Sequence, residues 1–420
     1  MPLKAYKYRF YPNKTQQKLL RQYFGAKRFV WNICLAWRTN LYQEFQESVS
    51  YVDFSRELTW LKKLDTYQWL KQAPLTILTQ GLMDQEKAFK RFFKEGAGYP
   101  KFKSRYGQQA IRFQLDQRHI DKNYKAGELL KVTGLGALNV RWTREPVGKP
   151  KMVSISKDTV GRYFVSMAIE EHIEKKPLVR KTVGIDLGTL ETMTLSDGFK
   201  VPNPRHLLQH KNQLKKLQQR LARQKIDSNR RAKTKLRIGK LHTRIADCRR
   251  EYLHQTTSKI INENQVIVIE DLNVKGMTAS SKGTKENPGK MVRQKSGLNR
   301  SILDVSFGKI VRQLEYKAQW YGRTLIKVDR FFPSSKLCSD CGHKADEMNL
   351  SIREWTCPKC KTVHDRDINA AINIENEGLR SIAPEGMQGL QLRDAGGEGV
   401  YSMAVSSRSI DQPSDCLEQS

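Results

Sequence analysis

Four cysteines and three separated acidic sites are the residues of this chain whose types and spacing can do chemistry. Cys338-x-x-Cys341, fifteen intervening residues and Cys357-x-x-Cys360 have the spacing of a tetrahedral site for one Zn²⁺. Gly342 lets the backbone turn just after the first pair. Because the protein fills all four coordination positions, no place is left for substrate, so this zinc is expected to be structural rather than catalytic.

The acids sit where strands end or a helix begins. Asp186 interrupts the apolar stretch Thr182-Val-Gly-Ile-Asp186-Leu-Gly-Thr189, and Glu270 and Asp271 close the run Gln265-Val-Ile-Val-Ile. The third site is His364-Asp365-Arg366-Asp367-Ile-Asn369-Ala-Ala371, at the start of a helix running toward Leu379. A charge within a buried strand needs a partner or a metal. Neighbours on a strand point to opposite faces, so only one of Glu270 and Asp271 can share a site with Asp186. One strand-centre Asp, one strand-end Glu and one late Asp form the convergent carboxylate set that two hard Mg²⁺ ions require for phosphodiester cleavage.

Composition points to the same substrate class. In 420 residues, Lys and Arg total 75 against 43 Asp and Glu, a net charge of +32 that gathers phosphate backbones. The length suggests two to four domains at about 100 to 200 residues each. No apolar run approaches the ~18 residues of a membrane span, and Met1-Pro-Leu-Lys-Ala-Tyr-Lys7 has no signal-peptide core, so a soluble intracellular protein without membrane contact is expected. Cys34, Cys248 and Cys416 are scattered, and the paired cysteines argue for metal rather than disulfides in a reducing compartment. From residue 383 to 420, six acids stand against two bases amid Gly, Ser and Gln, which reads as a disordered tail.

The elements that must position these residues follow from periodicity. Leu3 to Tyr11 alternates as a strand, and Asn13-Lys14-Thr15-Gln16 has the form of a capping box. The apolar residues from Leu20 to Leu41 then suit a helical hairpin interrupted near Gly25, and further helices are expected over Asp53 to Lys63 and Leu75 to Lys94. Tyr99 to Ile169 changes to short strands, with the clearest pair at Met152 to Ser156 and Tyr163 to Ile169. Lys101, Lys103 and Arg105 interleave with aromatics in Tyr99-Pro-Lys-Phe-Lys-Ser-Arg-Tyr106, in the manner of a surface that grips phosphates and stacks on bases. From Arg205 to Arg250, sixteen Lys and Arg face only Asp227 and Asp247, and leucines and isoleucines recur at helical spacing on either side of Asp227-Ser228-Asn229. Two paired helices with basic outer faces are expected there, carrying Arg220, Arg223, Arg230 and Arg231. Gly276 to Ser296, rich in Gly, Ser and Lys, reads as a plain flexible linker.

The chain resembles the TnpB (OrfB) proteins of bacterial insertion sequences, relatives of the type V CRISPR effector nucleases. The resemblance is carried by Arg9-Phe-Tyr-Pro, Val183-Gly-Ile-Asp186-Leu-Gly, Ile269-Glu270-Asp-Leu-Asn273, Gly297-Leu-Asn-Arg300 through Asp304, Phe332-Pro-Ser-Ser-Lys336 into the cysteines, and Asp365-Arg-Asp367-Ile-Asn-Ala-Ala371. Gly184 to Thr189 is also similar to the phosphate-binding hairpin of actin-like ATPases, but that reading leaves the cysteines and the charge unexplained.

The family resemblance implies a multidomain α/β protein. Its parts would be a RuvC-like, RNase H-type nuclease domain at 181–332 and 366–380, a basic helical hairpin at 203–255 and a zinc ribbon at 333–365. They would also include a β-barrel wedge domain at 1–12 and 96–180, a helical recognition insertion at 13–95, and the tail at 381–420. It implies an RNA-guided DNA endonuclease of a transposable element in the bacterial cytoplasm and nucleoid. The guide RNA would come from the element's own end, and the double-stranded DNA target would be cut beside a short adjacent motif. Asp186, Glu270 and Asp367 fall on the family's catalytic triad positions, with Asp367 preferred to Asp365 because it immediately precedes Ile-Asn-Ala-Ala. A guided DNA-binding repressor with little cleavage is the competing reading, and monomer and dimer both remain open. The cysteines lie between Glu270 and Asp367, so the ribbon is expected to help position the helix that carries Asp367.

Overall fold

A computed structural model describes residues 2–346, 348–349 and 352–382. The segment 383–420, expected to be a disordered tail, lies outside the described residues.

The N-terminal half begins with β1 (Leu3–Phe10), whose alternation buries Tyr6, Tyr8 and Phe10. Asn13 caps the following helix, α1 (Lys14–Phe45), in a reciprocal capping box: its side chain accepts from the Gln16 amide at 2.8 Å, and Gln16 Oε1 accepts from the Asn13 amide at 3.2 Å. The expected break near Gly25 does not occur, and α1 runs straight through it as one helix of 32 residues. Gly inside a helix costs about 1 kcal/mol, less than packing recovers from the unbroken stripe Leu20, Phe24, Val30 and Cys34. Next come α2 (Tyr51–Leu61), a 3₁₀ segment (Asp65–Gln72), and α3 (Leu75–Glu95), which ends on left-handed Gly96.

The strands β2 (Gln109–Gln114), β7 (Met152–Lys157), β8 (Tyr163–Glu170) and β6 (Val140–Arg141) join β1 in one antiparallel sheet, ordered β2-β7-β8-β1-β6. A turn of helix α4 (Ile120–Asn123) leads to a small sheet of β3 (Tyr124–Lys125), β4 (Leu129–Val132) and β5 (Gly136–Ala137). The expected closed barrel is not formed. Strand β6 is two residues long and meets β1 only at Arg9 and Phe10, too short a ladder to curl round to β2. Helices α1 and α3 pack against β2 instead, and one hydrophobic core joins sheet and helices from Tyr6 to Leu82 and Ile169.

The C-terminal half is a five-stranded sheet between helices. It contains β9 (Thr182–Asp186), β10 (Glu191–Leu195), β11 (Lys200–Pro202), β12 (Val266–Glu270) and β13 (Thr324–Val328), in the order β11-β10-β9-β12-β13. The first three are antiparallel, whereas β12 runs parallel to both β9 and β13. Between β11 and β12 lie α5 (His206–Gln209), α6 (Lys211–Arg223) and α7 (Asn229–Glu263). Ser228 caps α7, and Leu214, Leu241 and Ile245 bury the seam of the expected basic hairpin. Helix α7 continues past that seam, placing Leu253, Ile260 and Ile261 in the core under the sheet.

After β12 come α8 (Val274–Met277), α9 (Val292–Val305) and α10 (Phe307–Tyr321). The expected flexible linker between α8 and α9 is pinned: Asn299 donates to the carbonyls of Thr278 and Ala279 at 3.0 and 3.2 Å, and Lys295 donates to that of Met277. The hairpin β14 (Glu354–Thr356) and β15 (Val363–Asp365) leads directly into α11 (Arg366–Ile382), which crosses the sheet over β9 and β12. Arg323 staples this half together, donating to the carbonyls of Ile261 and Pro177 and to Gln265. Arg162 bridges the halves, pairing with Asp158 beside its own turn and with Asp247 on α7, both at 2.6 Å. No helix among the described residues is long and apolar enough to cross a membrane.

The seat of α11 depends on missing side chains. A Cβ at Gly184 would lie 2.1 Å from the Ala371 carbonyl oxygen, and one at Gly378 would lie 2.3 Å from Val268 Cγ1. Gly184→Ala should therefore force α11 off β9 and destabilise this half by about 3 kcal/mol. Urea titration followed by tryptophan fluorescence would check this; an unchanged midpoint would show that the helix has room to move.

Candidate active site and metal cluster

Asp186 and Glu270 end adjacent parallel strands, one residue beyond the ladder pair Ile185–Ile269. Both carboxylates thus leave the C-terminal edge of the sheet on the same side. Asp367 lies in the first turn of α11, which packs against β9. Burial and then the charges of Glu270 and Asp367 push Asp186 up to about 7, opposed by Arg366 and the Leu187 amide. Burial also raises Glu270, although Ser334 Oγ donates to its Oε1 at 2.6 Å. A buried Asp186 that feels the charges of two neighbouring carboxylates fits a site for divalent cations, which relieve that repulsion.

The neighbouring acids are engaged differently. Asp271 turns away from Glu270 and pairs with Arg330, as alternation on a strand demands. Asp365 accepts from the amides of Asp367 and Ile368, both at 3.0 Å, and pairs with Lys200 at 2.6 Å. It therefore caps α11, while Asp367 is the acid whose charge reaches Asp186.

Several residues around the acids gave no signal of a role in the sequence. Arg353, entering β14, lies 3.3 and 3.4 Å from the two oxygens of Asp367, a cation held beside the cluster. Asn369 and Asn373, one turn apart on α11, both donate to the Leu337 carbonyl at 2.6 and 2.7 Å; Asn373 also donates to Ser334 O at 2.8 Å. Asn369 in turn accepts from the Ser339 amide at 2.9 Å. The segment entering the first cysteine pair is thereby clamped to the helix carrying Asp367, and Ser334 within it orients Glu270. Asn369 and Ser334 stand in the quoted motifs, yet only their contacts disclose what they hold.

The four sulfurs of Cys338, Cys341, Cys357 and Cys360 lie within 4.8 Å of one another, a set that can hold a metal ion. Each pair forms a tight turn closed by a left-handed residue, Gly342 in one and Lys361 in the other. In both turns the amide of that residue donates to the carbonyl of the first cysteine. His364 of β15 places Nε2 3.0 Å from Cys338 Sγ and stacks its ring near Trp355. It ties the cluster to the strand from which α11 starts.

The expected nucleic-acid contacts are dispersed. Arg220, Arg223 and Arg230 are exposed on the α6–α7 hairpin, whereas Arg231 donates to the carbonyls of Leu221 and Gln224 and so closes the hairpin turn. Lys103 Nζ sits 3.4 Å from the Trp31 ring centroid, where burial lowers its pKa to about 8. Lys101 receives the Trp31 indole N–H on its carbonyl, and Arg105 stacks on Tyr106. The structure does not bring the two basic groups to one site with the acids by any direct contact among the described residues.

Three family models match segments of the chain: "Helix-turn-helix domain" over residues 1–47, "Probable transposase" over 164–281, and "Cas12f1-like, TNB domain" over 307–374. The first of these segments is here a strand followed by one unbroken helix. The chain is 37% identical to the "Putative RNA-guided DNA endonuclease" of Streptomyces pristinaespiralis over 382 residues, covering 90% of each. It is 35% identical to the "Putative RNA-guided DNA endonuclease InsQ" of Escherichia coli (strain K12), covering 91% of this chain and 94% of the relative. Among solved structures, the fold matches the protein in "Cryo-EM structure of the Cas12f1-sgRNA-target DNA complex", with a TM-score of 0.51 at 14% identity, over 86% of this chain and 83% of that one.

The purified protein should carry one tightly held metal ion per chain, and Cys357→Ser should abolish it and lower the melting temperature. Elemental analysis of both proteins after dialysis checks this; retention of the ion by the variant would show that the cluster is not its site.

Proposed function

Because this chain belongs to the TnpB (OrfB) family of RNA-guided nucleases, we infer that it is an RNA-guided DNA endonuclease whose cutting centre is the cluster of Asp186, Glu270 and Asp367. The single observation that carries the assignment of the centre is the placing of Asp186 and Glu270 at the same end of adjacent parallel strands, with Asp367 in the first turn of the helix packed on β9, in a chain of net charge +32. Bound cations would offset the burial and neighbouring charge that disfavour ionised Asp186, and phosphodiester cleavage uses such cations beside a phosphate. The strand order β11-β10-β9-β12-β13, crossed by α11, supports reading 181–332 and 366–380 as an RNase H-type domain of the RuvC class, with the cysteine segment inserted into it. Zn²⁺ is the ion that suits four thiolates in two Cys-x-x-Cys turns.

Two Mg²⁺ ions bound by the three carboxylates would supply charge stabilisation on the attacking and leaving oxygens of the scissile phosphate. The chain's own residues set up that centre. Ser334 fixes the rotamer of Glu270, Asp365 and Lys200 hold the first turn of α11 in place, and Arg353 brings a positive charge to Asp367 and to any phosphate drawn beside it. Choice of target rests on base pairing with the guide RNA, while side chains read the backbone and a short adjacent motif. The basic hairpin is well placed to supply backbone contacts, since Arg220, Arg223 and Arg230 project into solvent.

Asp186→Ala and Asp367→Asn should each cut a matched DNA target more slowly by about 10³-fold or more, the loss of several kcal/mol of charge stabilisation. Guided binding should persist in both. Asp365→Ala, which removes the cap, should retain cutting and lose about 1 kcal/mol of stability in a urea titration. Gel assays of the ribonucleoprotein with and without EDTA, beside filter binding, read all three; full cutting by Asp367→Asn would move the third acid elsewhere. EDTA-resistant binding without any cutting by the wild type would favour the repressor reading.

A further inference from the structure

Strand β13 leaves the sheet beside Glu270 and turns at once through Asp329 and Arg330 into two adjacent phenylalanines with opposite fates. Phe332 packs against Val268, Val328 and Ile374 of α11, as part of a small core. Phe331 is 85% exposed, a large ring left in water beside a neighbour that is not. A single exposed apolar residue is ordinary on a protein surface, so its place decides whether it has a use.

That place is fastened on both sides to the end of the strand that bears Glu270. Arg330, immediately before the ring, pairs with Asp271 at 2.5 Å, and Ser334, three residues after it, donates to Glu270 at 2.6 Å. Chain reach alone therefore keeps the Phe331 backbone within about 11 Å of Ser334, which touches the acid. The span between is stiff. Asp329 Oδ1 accepts from the Phe331 amide at 2.8 Å, the Asp329 carbonyl from the Phe332 amide at 3.1 Å, and the Phe332 carbonyl from the Ser334 amide at 2.8 Å. Pro333 fixes one further torsion. A ring carried on a braced turn loses little freedom when a partner packs on it. Its face suits a flat apolar partner, and the proposed cutting centre brings one there, because bases accompany the phosphate that is cut. Stacking on an aromatic ring is indifferent to which base is present, since every base has a π-face. Cutting demands that indifference here, because the guide rather than the protein selects the sequence.

We propose that Phe331 stacks on one base of the DNA strand being cut and so holds the adjoining phosphate over Asp186, Glu270 and Asp367. The ring acts on position alone, touching neither the cations nor the reacting atoms. The proposal rests on the guided-nuclease reading and on Glu270 lying in the cutting centre.

The test uses the purified ribonucleoprotein in excess over matched double-stranded DNA, so that cutting is read in a single turnover. Phe331→Ala should slow cutting about tenfold, the scale of losing one stacked base, and Phe331→Trp should restore it. Guided binding, the melting temperature and the Mg²⁺ concentration giving half the maximal rate should stay as in the wild type. A series of targets, each with one abasic nucleotide near the cut, then locates the base: one position should slow the wild type about tenfold and Phe331→Ala no further. Equal cutting by the wild type and Phe331→Ala, or abasic targets that affect both proteins alike at every position, would overturn the proposal. A raised Mg²⁺ requirement or a lowered melting temperature in Phe331→Ala would also overturn it, by showing that the ring serves only to hold Ser334 and Glu270. So would a change of oligomeric state in sedimentation, which would place the ring against a second copy of the chain. Failure of the wild type to cut matched DNA with Mg²⁺ would instead sink the guided-nuclease reading and this inference with it.

Discussion

The close seat of α11 on β9 and β12 is the contact on which the C-terminal half depends. Helix and strands meet where Gly184 and Gly378 have no side chain, so the α11 backbone lies against Gly184 and the Val268 side chain against Gly378, and the helix axis has almost no freedom to shift. From that fixed position the first turn of α11 brings Asp367 toward Asp186, and its next two turns extend Asn369 and Asn373 to the chain entering the cysteines. The inserted cysteine segment is thus not an appendage. Its entry is clamped by α11, its exit strand β15 runs straight into α11, and His364 links that strand to Cys338. Loss of the cluster would loosen both ends of the segment and, through Ser334, the hold on Glu270 as well.

The electrostatics are arranged around a local inversion. The chain as a whole is strongly basic, but at the edge of the sheet burial and the charges of Glu270 and Asp367 raise the affinity of Asp186 for a proton. Cations on every side manage this: Arg353 beside Asp367, Arg366 near Asp186, and Lys200 on the capping Asp365. In the proposed function a long-range positive field would draw in phosphate, and a small negative focus would collect the cations that act on it. Neither would serve cutting alone, since a uniformly basic surface binds nucleic acid without changing it.

Helix α7 links these two tasks mechanically. Its first half forms the basic hairpin with α6, and its second half lies in the core beneath β9 and β12. Arg162 attaches the N-terminal sheet to the same helix through Asp247. Nucleic acid gripped on the hairpin, as proposed, would be held by the same helix that lies under the strands bearing Asp186 and Glu270.

Much of this was legible in the sequence because local rules dominate there. The cysteine spacing, the capping box at Asn13, the left-handed stop at Gly96 and the apolar runs ending in Asp186 and Glu270 each depend on a few consecutive residues. The strict alternation of a strand also required that only one of Glu270 and Asp271 could face Asp186. The failures came where distant parts compete. Gly25 read as a break because isolated helix propensity ignores the core that holds α1 straight. The barrel stayed open because helices α1 and α3 took the place that further strands would have filled. The bonds by which Arg231 closes the hairpin turn and Asp365 pairs with Lys200 likewise join segments that no local pattern links. Types and spacing of residues determined which chemistry the chain carries. Only the packing of α11 against the sheet decided which acids lie near one another, since it brings Asp367 to act on Asp186 across 181 positions of sequence.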